Sequence, residues 1–325
     1  MTISTVTVVG SGYMGGGIAQ VLALAECDVT LCDVSAEVAT ASRERLIREA
    51  GEFAERRLFP VDAAERIAAR ISAAPSVEDA VEGADFVEEA VPEIPAVKGE
   101  MLARISAANP DALIGSNTST ISITELATHV ENPERFVGVH FSNPAPFIPG
   151  VEVIPHPLTD PAVVSAVSEL LTRAGKVPAE VTDATGFVLN RLQYALFHEA
   201  VQLVEEGVAT PEDIDTIVRT TFGMRLPFFG PFAVADMAGL DVYDFCYTSL
   251  QTRFTERFAT PDALRELVDK GHLGTKTGHG FRAIDPDRIP ELIAYRDTAY
   301  VRIQELIAEL GPTPFDDEPP RTEGA

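Results

Sequence analysis

The stretch "TVTVVGSGYMGGGIAQVLALAECDVTLCD" (5–33) decides the fold. Its first part, "TVTVVG" (5–10), is a β-branched run that stops at a glycine and reads as a buried strand. "MGGGIAQVLALAE" reads as a helix, and "DVTLCD" (28–33) as the next strand. Between the first strand and the helix lies GxGxxG at Gly10, Gly12 and Gly15. Alone this pattern is weak. Here it follows a strand, opens a helix, and is answered by an acid at Asp33 on the next strand, which is the context it requires. Gly10 permits the tight turn, Gly12 lets a pyrophosphate approach the backbone, and Gly15 lets helix pack closely on strand. The helix N-terminus then faces the phosphates. Asp33 can accept hydrogen bonds from a ribose diol and would repel a 2′-phosphate, so the expected cofactor is NAD rather than NADP. A glycine-rich turn in a nucleotide-free domain is the alternative.

The alternation continues outward. "ADFVEEAV" (84–91), "ALIGSN" (112–117), "RFVGVHF" (135–141) and "GVEVIP" (150–155) read as strands, most of them separated by helical patterns. This predicts an α/β domain with a parallel sheet of Rossmann type over residues 1–184. Two helical runs broken by Pro60, "SAEVATASRERLIREAGEFAERRL" and "PVDAAERIAARIS", predict a helical hairpin arm on that domain. After Thr185 the texture is helical throughout, starting with "GFVLNRLQYALFHEAVQLVEEG" (186–207). An all-α domain is therefore expected over 185–325, with a polar, proline-rich tail, "GPTPFDDEPPRTEGA", that frays.

The chain of 325 residues is long enough for about two domains. A net charge of −25 argues against nucleic acid and against an anionic membrane surface as partners. No run of about 20 apolar residues predicts a membrane span, and the basic region of a signal peptide is missing from the start. Cys27, Cys32 and Cys246 are scattered, with no zinc-ligand spacing, so no metal is expected. An odd number of thiols without a secretion signal fits a reducing cytoplasm.

One further stretch asks for an explanation. "GVHFSNPAPFIPGVEVIPHP" (138–157) contains five prolines and cannot be helical, and it separates His140 from Glu152. At this point the chain resembles the NAD-dependent 3-hydroxyacyl-CoA dehydrogenases. "GSGYMGGGIAQ", "EEAVPEIPAVK", "SNTSTISI", "HFSNP", "GVEVIP", "GFVLNR" and "GPF…DMAGLD" occur in that family's order, and "GTKTGHGF" resembles its closing segment. The resemblance spans nearly the whole chain. It implies a catalytic histidine at His140, a supporting glutamate at Glu152, a substrate-contacting serine at Ser119 and an active-site asparagine at Asn190. It also places Glu93 and Lys98 near the nicotinamide ribose, and Tyr13, Met14 and Asn117 with the cofactor. For Glu93 and Lys98 the alternative is a helix N-terminal acid and an exposed lysine.

The residue chemistry agrees. Oxidising a secondary alcohol needs a hydride acceptor and a base, and histidine suits the base near neutral pH. His140 lies at the carboxyl end of its strand, where open α/β sheets bind ligands. A carboxylate on its second nitrogen would fix the tautomer and stabilise the imidazolium.

The motifs also bear on the substrate. "HFSNP", "FIPGVEVIPHP", "EAVPE" and "FGMRLPFFGP" depart from the fatty-acid enzymes towards a branch containing lambda-crystallin, gulonate dehydrogenase and a pyridine-carboxylate dehydrogenase. CoA would want cations, and the arm offers Arg56 and Arg57, although its arginines are interleaved with glutamates that could pair with them. Arg225 could instead hold a free carboxylate. The expectation is an NAD-dependent dehydrogenase of a 3-hydroxyacyl-type alcohol. The alternatives are a CoA-independent enzyme for a small hydroxy acid, sugar acid, aromatic alcohol or aldehyde, and a crystallin-like structural protein, against which the intact catalytic residues argue. The resemblance also implies a homodimer through the helical domain.

Overall fold

The computed structural model describes residues 2–254, 257 and 260–311. Chain contacts divide it into two compact units, Met1–Phe197 and His198–Ala325. The tail beyond Gly311, expected to fray, lies outside the described residues.

The first unit alternates as the sequence predicts: β1 (Thr5–Val9), α1 (Tyr13–Leu24), β2 (Asp28–Cys32), α2 (Ala36–Glu55), α3 (Ala63–Arg70), β3 (Ile71–Ala73), α4 (Val77–Val81) and β4 (Phe86–Glu89). It continues with α5 (Pro95–Ala108), β5 (Leu113–Ser116), α6 (Ile123–Ala127), β6 (Phe136–Phe141), β7 (Gly150–Ile154), α7 (Pro161–Arg173) and β8 (Val177–Glu180). The strands form one sheet in the order β3-β2-β1-β4-β5-β6-β7-β8. Both faces are covered. Val6, Val8 and Val139 belong to one apolar cluster with α1 and α7; Val9, Val87 and Phe136 belong to another with α5 and α6. Each large aliphatic side chain so buried contributes about 1.5–3 kcal/mol.

The arm is present. Ser35 starts α2 by accepting the Val38 N–H, and Pro60 lies in the turn before α3. Of the expected ion pairs along α2, Arg45–Glu49 forms at 3.0 Å, whereas Arg43 donates to the carbonyls of Ile71 and Ala68.

The sheet differs from expectation in two ways. Two short strands, β3 and β8, were not foreseen; β8 is an edge strand, where Pro178 removes no ladder bond that another strand needs. More consequentially, β7 runs antiparallel to β6, and β8 runs parallel to β7. A parallel return needs a crossover, usually a helix. The proline-rich segment 142–149 provides none, so the chain turns back beside the strand it has just left. The buried ammonium of Lys176 holds that segment by donating to the carbonyls of Ala145, Pro146 and Ile148 at 2.5, 3.2 and 2.9 Å.

The second unit is helical among its described residues, taking over within α8 (Leu189–Glu205) and continuing through α9 (Pro211–Thr220), α10 (Pro231–Ala238), α11 (Leu240–Phe254), α12 (Asp262–Asp269) and α13 (Ile289–Leu310). Thr210 caps α9 by accepting the Asp213 N–H, with Pro211 and two acids in the first turn, as its sequence suggests. Among the described residues, no helix is long and apolar enough to cross a membrane.

Glu88 is anomalous. It is fully buried in β4, over Gly115 of β5, and neither carboxyl oxygen has a partner among the described residues. Burial, and secondarily the neighbouring Glu89, raise its pKa well above the ordinary 4.5. A raised folded-state pKa means its contribution to stability is intact below the unfolded value and is lost as pH rises towards the folded one. The loss is about 1.4 kcal/mol per pH unit in that window. Glu88→Gln, which carries no charge, should therefore unfold at higher urea than wild type, by a margin that widens as pH rises from 5. A margin independent of pH would show that Glu88 does not titrate in this way.

Candidate active site

Antiparallel pairing of β6 and β7 sets His140 directly opposite Glu152. Opposed residues share a face of the sheet, so the imidazole and carboxylate meet without any loop having to position them. His140 Nδ1 lies 2.7 Å from Glu152 Oε2, and both side chains are buried. The carboxylate's other oxygen accepts the N–H groups of Val188 and Leu189 at 2.9 and 3.0 Å. Those amides stand at the N-terminus of α8, where backbone donors lack helical partners and negative charge is favoured. Phe187, with φ of +48°, brings the chain into that position and packs its ring 5.7 Å from the imidazole.

With Nδ1–H directed at Glu152, His140 Nε2 is the acceptor, and it lies 3.1 Å from Ser119 Oγ. The serine follows β5 in a loop held from two sides. Asn190 Nδ2 donates to the Ser119 carbonyl at 2.8 Å. Glu93 Oε1 accepts the N–H groups of Ser119 and Thr120 at 2.8 and 3.0 Å, and the Thr118 hydroxyl at 2.7 Å. Burial opposes the Glu93 charge, but these donors and the Lys98 ammonium hold its pKa below the ordinary value.

Lys98 is not exposed, so that alternative falls: it is completely buried. Its ammonium lies 2.9 and 3.2 Å from the two oxygens of buried Glu89, 2.9 Å from the Asn117 carbonyl and 3.6 Å from Glu93. It thus touches the loop from beneath. Asn117 in turn accepts the Phe141 N–H through Oδ1, tying the ends of β5 and β6 together. Lysine 98 and Glu89 form a buried pair, in which loss of one partner strands the other.

A cavity of about 900 Å³ runs along the carboxyl ends of β2, β1, β4 and β5. Gly10, Gly12, Tyr13, Met14, Asp33, Glu93, Asn117 and Ser119 line it. Gly10 has φ of +96°, which a side chain would resist, and a Cβ on Gly15 would stand 1.8 Å from the Gly10 carbonyl oxygen. A Cβ on Gly12, by contrast, would meet nothing within 4 Å, so the backbone there is open to a bulky group. Asp33 is opposed by burial, yet the Ser11 hydroxyl and the amides of Val34 and Ser11 keep its pKa low. Open backbone at a helix start and an ionised acceptor on the next strand fit a dinucleotide.

Among the described residues, no side-chain bond draws the remaining substrate candidates into this constellation. Arg56 and Arg57 lie exposed just beyond α2, with no side-chain partner among the described residues; Arg225 is likewise exposed in the second unit. Nearby, Phe53, Phe59 and Phe147 form an aromatic cluster joining the arm to the proline-rich segment, with ring centroids 5.2 to 5.8 Å apart. His156, away from the site, donates its Nε2–H to the Pro133 carbonyl (2.8 Å) and is structural. Sequence reasoning missed Glu89, Lys176 and the amides of Val188 and Leu189. The doublet "EE" in a central strand was the available signal for Glu89, because such a strand is buried on both faces.

A dinucleotide cradle beside a buried histidine–carboxylate pair defines an NAD-dependent dehydrogenase acting on a hydroxyl group. The sequence model described as 3-hydroxyacyl-CoA dehydrogenase, NAD binding domain, matches residues 5–184, and the C-terminal domain of the same family matches 186–283. The chain belongs to the 3-hydroxyacyl-CoA dehydrogenase family. It is 35% identical over 94% of its length to a 5-formyl-3-hydroxy-2-methylpyridine 4-carboxylate 5-dehydrogenase of Mesorhizobium japonicum, covering 98% of that protein. It is 37% identical to a probable 3-hydroxybutyryl-CoA dehydrogenase of Bacillus subtilis, over 86% of this chain and 97% of the relative. The crystal structure of a 3-hydroxyacyl-CoA dehydrogenase from Archaeoglobus fulgidus superposes with a TM-score of 0.78 at 32% identity, covering 94% of this chain and all of that one.

Lys98→Met should destabilise the protein by about 3–5 kcal/mol by leaving the buried Glu89 carboxylate without its counter-ion, with only the Val91 N–H and the Ser116 hydroxyl to stabilise it. Lys98→Met combined with Glu89→Leu should recover most of that loss in denaturant unfolding. A double variant no more stable than the single would mean the pair is not coupled.

Proposed function

We propose that this enzyme oxidises a secondary alcohol of the 3-hydroxyacyl type to the ketone. The observation that carries the reading is His140 held between Glu152 and Ser119, a serine that lines the dinucleotide cavity. NAD, when bound, supplies the hydride acceptor. Gly10, Gly12, Tyr13, Met14 and Gly15 shape its pyrophosphate cradle, Asp33 takes the adenosine ribose, and Glu93, Asn117 and, through them, Lys98 serve the nicotinamide ribose. Ser119 Oγ hydrogen-bonds the reacting oxygen. His140 Nε2 removes the hydroxyl proton from oxygen while the carbon bearing that hydroxyl gives up its hydride to the bound cofactor, and the carbon–oxygen double bond forms between them. Glu152 stabilises the imidazolium through Nδ1–H, and its charge is itself held by the two α8 amides. Asn190 positions Ser119 through its carbonyl.

The cofactor and proton-transfer residues belong to a domain over 1–184, and a helical domain over 185–325 adds further substrate contacts and the subunit contacts. An acyl-CoA is the first substrate class, supported by exposed, unpaired Arg56 and Arg57 at the arm and by the 3-hydroxyacyl-CoA relatives. A CoA-independent carboxylate substrate is the second, supported by the pyridine-carboxylate relative's nearly full-length match and by exposed Arg225, whose fork suits a carboxylate. A homodimer is supported by α8, which has no buried residue yet presents Leu192, Leu196, Phe197 and Val201 exposed. The three free thiols support a reducing, cytoplasmic setting.

His140→Ala should lower kcat by at least about a hundredfold, the scale of one acid–base group, while NADH binding measured by fluorescence persists. Near-normal turnover would remove the assignment. NADH absorbance against 3-hydroxyacyl-CoAs and against free hydroxy acids, sugar acids and aromatic alcohols or aldehydes decides the carrier. Turnover confined to the CoA panel selects the first class, with Arg56→Ala/Arg57→Ala raising KM; turnover confined to free acids selects the second. Sedimentation of the purified chain should give a dimer, and a monomer would refute that part.

A further inference from the structure

Across the sheet from Ser119, past β4 and β1, the far end of the cavity is walled by Asp33, Val34, Ser76, Val77, Met101 and Arg104. Among the described residues lining the cavity, Arg104 is the one cation. It is not free. Glu78, in the first turn of α4 and outside the lining, takes its Nε and Nη2 at 3.1, 3.0 and 3.1 Å in a two-pronged pair. Both side chains are about half exposed, 42% and 54%, a setting in which an ion pair adds little to stability. Its consequence is electrostatic. The pair lies close to the end of β2: Cys32 belongs to one apolar cluster with Val77, Ala80 and Val81 of α4, and Arg104 walls the same cavity as Asp33. Burial raises the Cys32 thiol to about 11, with Asp33 and Glu78 also pushing it up and Arg104 pulling it down. Cys32 immediately precedes Asp33.

We propose that the Glu78–Arg104 pair is a determinant of cofactor choice, keeping the cavity's single cation neutralised so that a 2′-phosphate at Asp33 finds a repelling carboxylate and no free arginine. Selection against NADP is then built from two acids, one facing the ribose and one occupying the guanidinium that a phosphate would otherwise take by a bidentate contact. The proposal rests on the reading that the adenosine ribose lies at Asp33.

Fluorescence titration of the whole chain with NADH and NADPH tests it, read as the ratio Kd(NADPH)/Kd(NADH). In Glu78→Gln the ratio should fall by about tenfold, the scale of one charge-assisted hydrogen bond to a phosphate. Adding Arg104→Gln should restore the wild-type ratio, which a merely structural pair, weakening both cofactors alike, would not do. Asp33→Asn is the control on the ribose placement. If Asp33→Asn lowers the ratio and Glu78→Gln leaves it unchanged, the pair has no part in selection and the proposal is overturned. If neither changes it, the ribose is not at Asp33 and the proposal falls with that reading.

Discussion

The Glu152 carboxylate has two oxygens and two tasks, and the first unit is organised around both. One oxygen meets the His140 imidazole across an antiparallel strand pair; the other closes the N-terminus of α8. A buried carboxylate is expensive unless its lone pairs are filled. Here the donors come from two different elements, β6 and the start of α8, so neither can shift without leaving the charge short of a partner. The proton acceptor, its tautomer and the entry of the chain into α8 are therefore one structural decision.

A second buried charge supports the other side of the site. Glu89 and Lys98 pair beneath the loop carrying Ser119, and Lys98 reaches the Asn117 carbonyl. Glu93 then gathers the amides of Ser119 and Thr120 from above. The serine hydroxyl is held 3.1 Å from the imidazole by backbone contacts and not by its own side-chain packing. Such preorganisation means that little reorganisation is needed when a substrate oxygen arrives between serine and histidine.

What the sequence revealed and what it hid follow a physical line. Gly10, Gly12, Gly15 and Asp33 were legible because a strand–turn–helix fixes its cofactor chemistry over a few residues. His140 and Glu152 were legible as a pair from the strand ends and the family motifs. The direction of β7 was not, since a strand's apolar pattern is the same whichever way it runs; the signal lay in the prolines of 142–149, which forbid a crossover helix. Lys98 and Lys176 were hidden for a different reason. A lysine reads as exposed unless its partners are known, and these partners, Glu89 and Asn117 for one and the carbonyls of Ala145, Pro146 and Ile148 for the other, are brought up only by the fold.

Lys176 explains the rigid track between the catalytic pair. Proline removes three amide donors from 142–149; the Pro144 carbonyl is met by the Phe147 and Ile148 N–H groups and that of Pro149 by Val177, and the segment lies against the helix α1, where a Cβ on Gly17 would stand 2.9 Å from Pro146. One buried ammonium meets three further carbonyls of the segment. Burial lowers the Lys176 pKa, yet the charged form is the one that fits, because an ammonium has three N–H donors for three carbonyls and a neutral amine would have two. The track is thus fixed by prolines that restrict its backbone and a lysine that restricts its carbonyls. Because it leads directly from His140 into the strand of Glu152, its rigidity is the rigidity of their register. A slip of one residue there would send Glu152 to the opposite face of the sheet and leave the imidazole without its carboxylate.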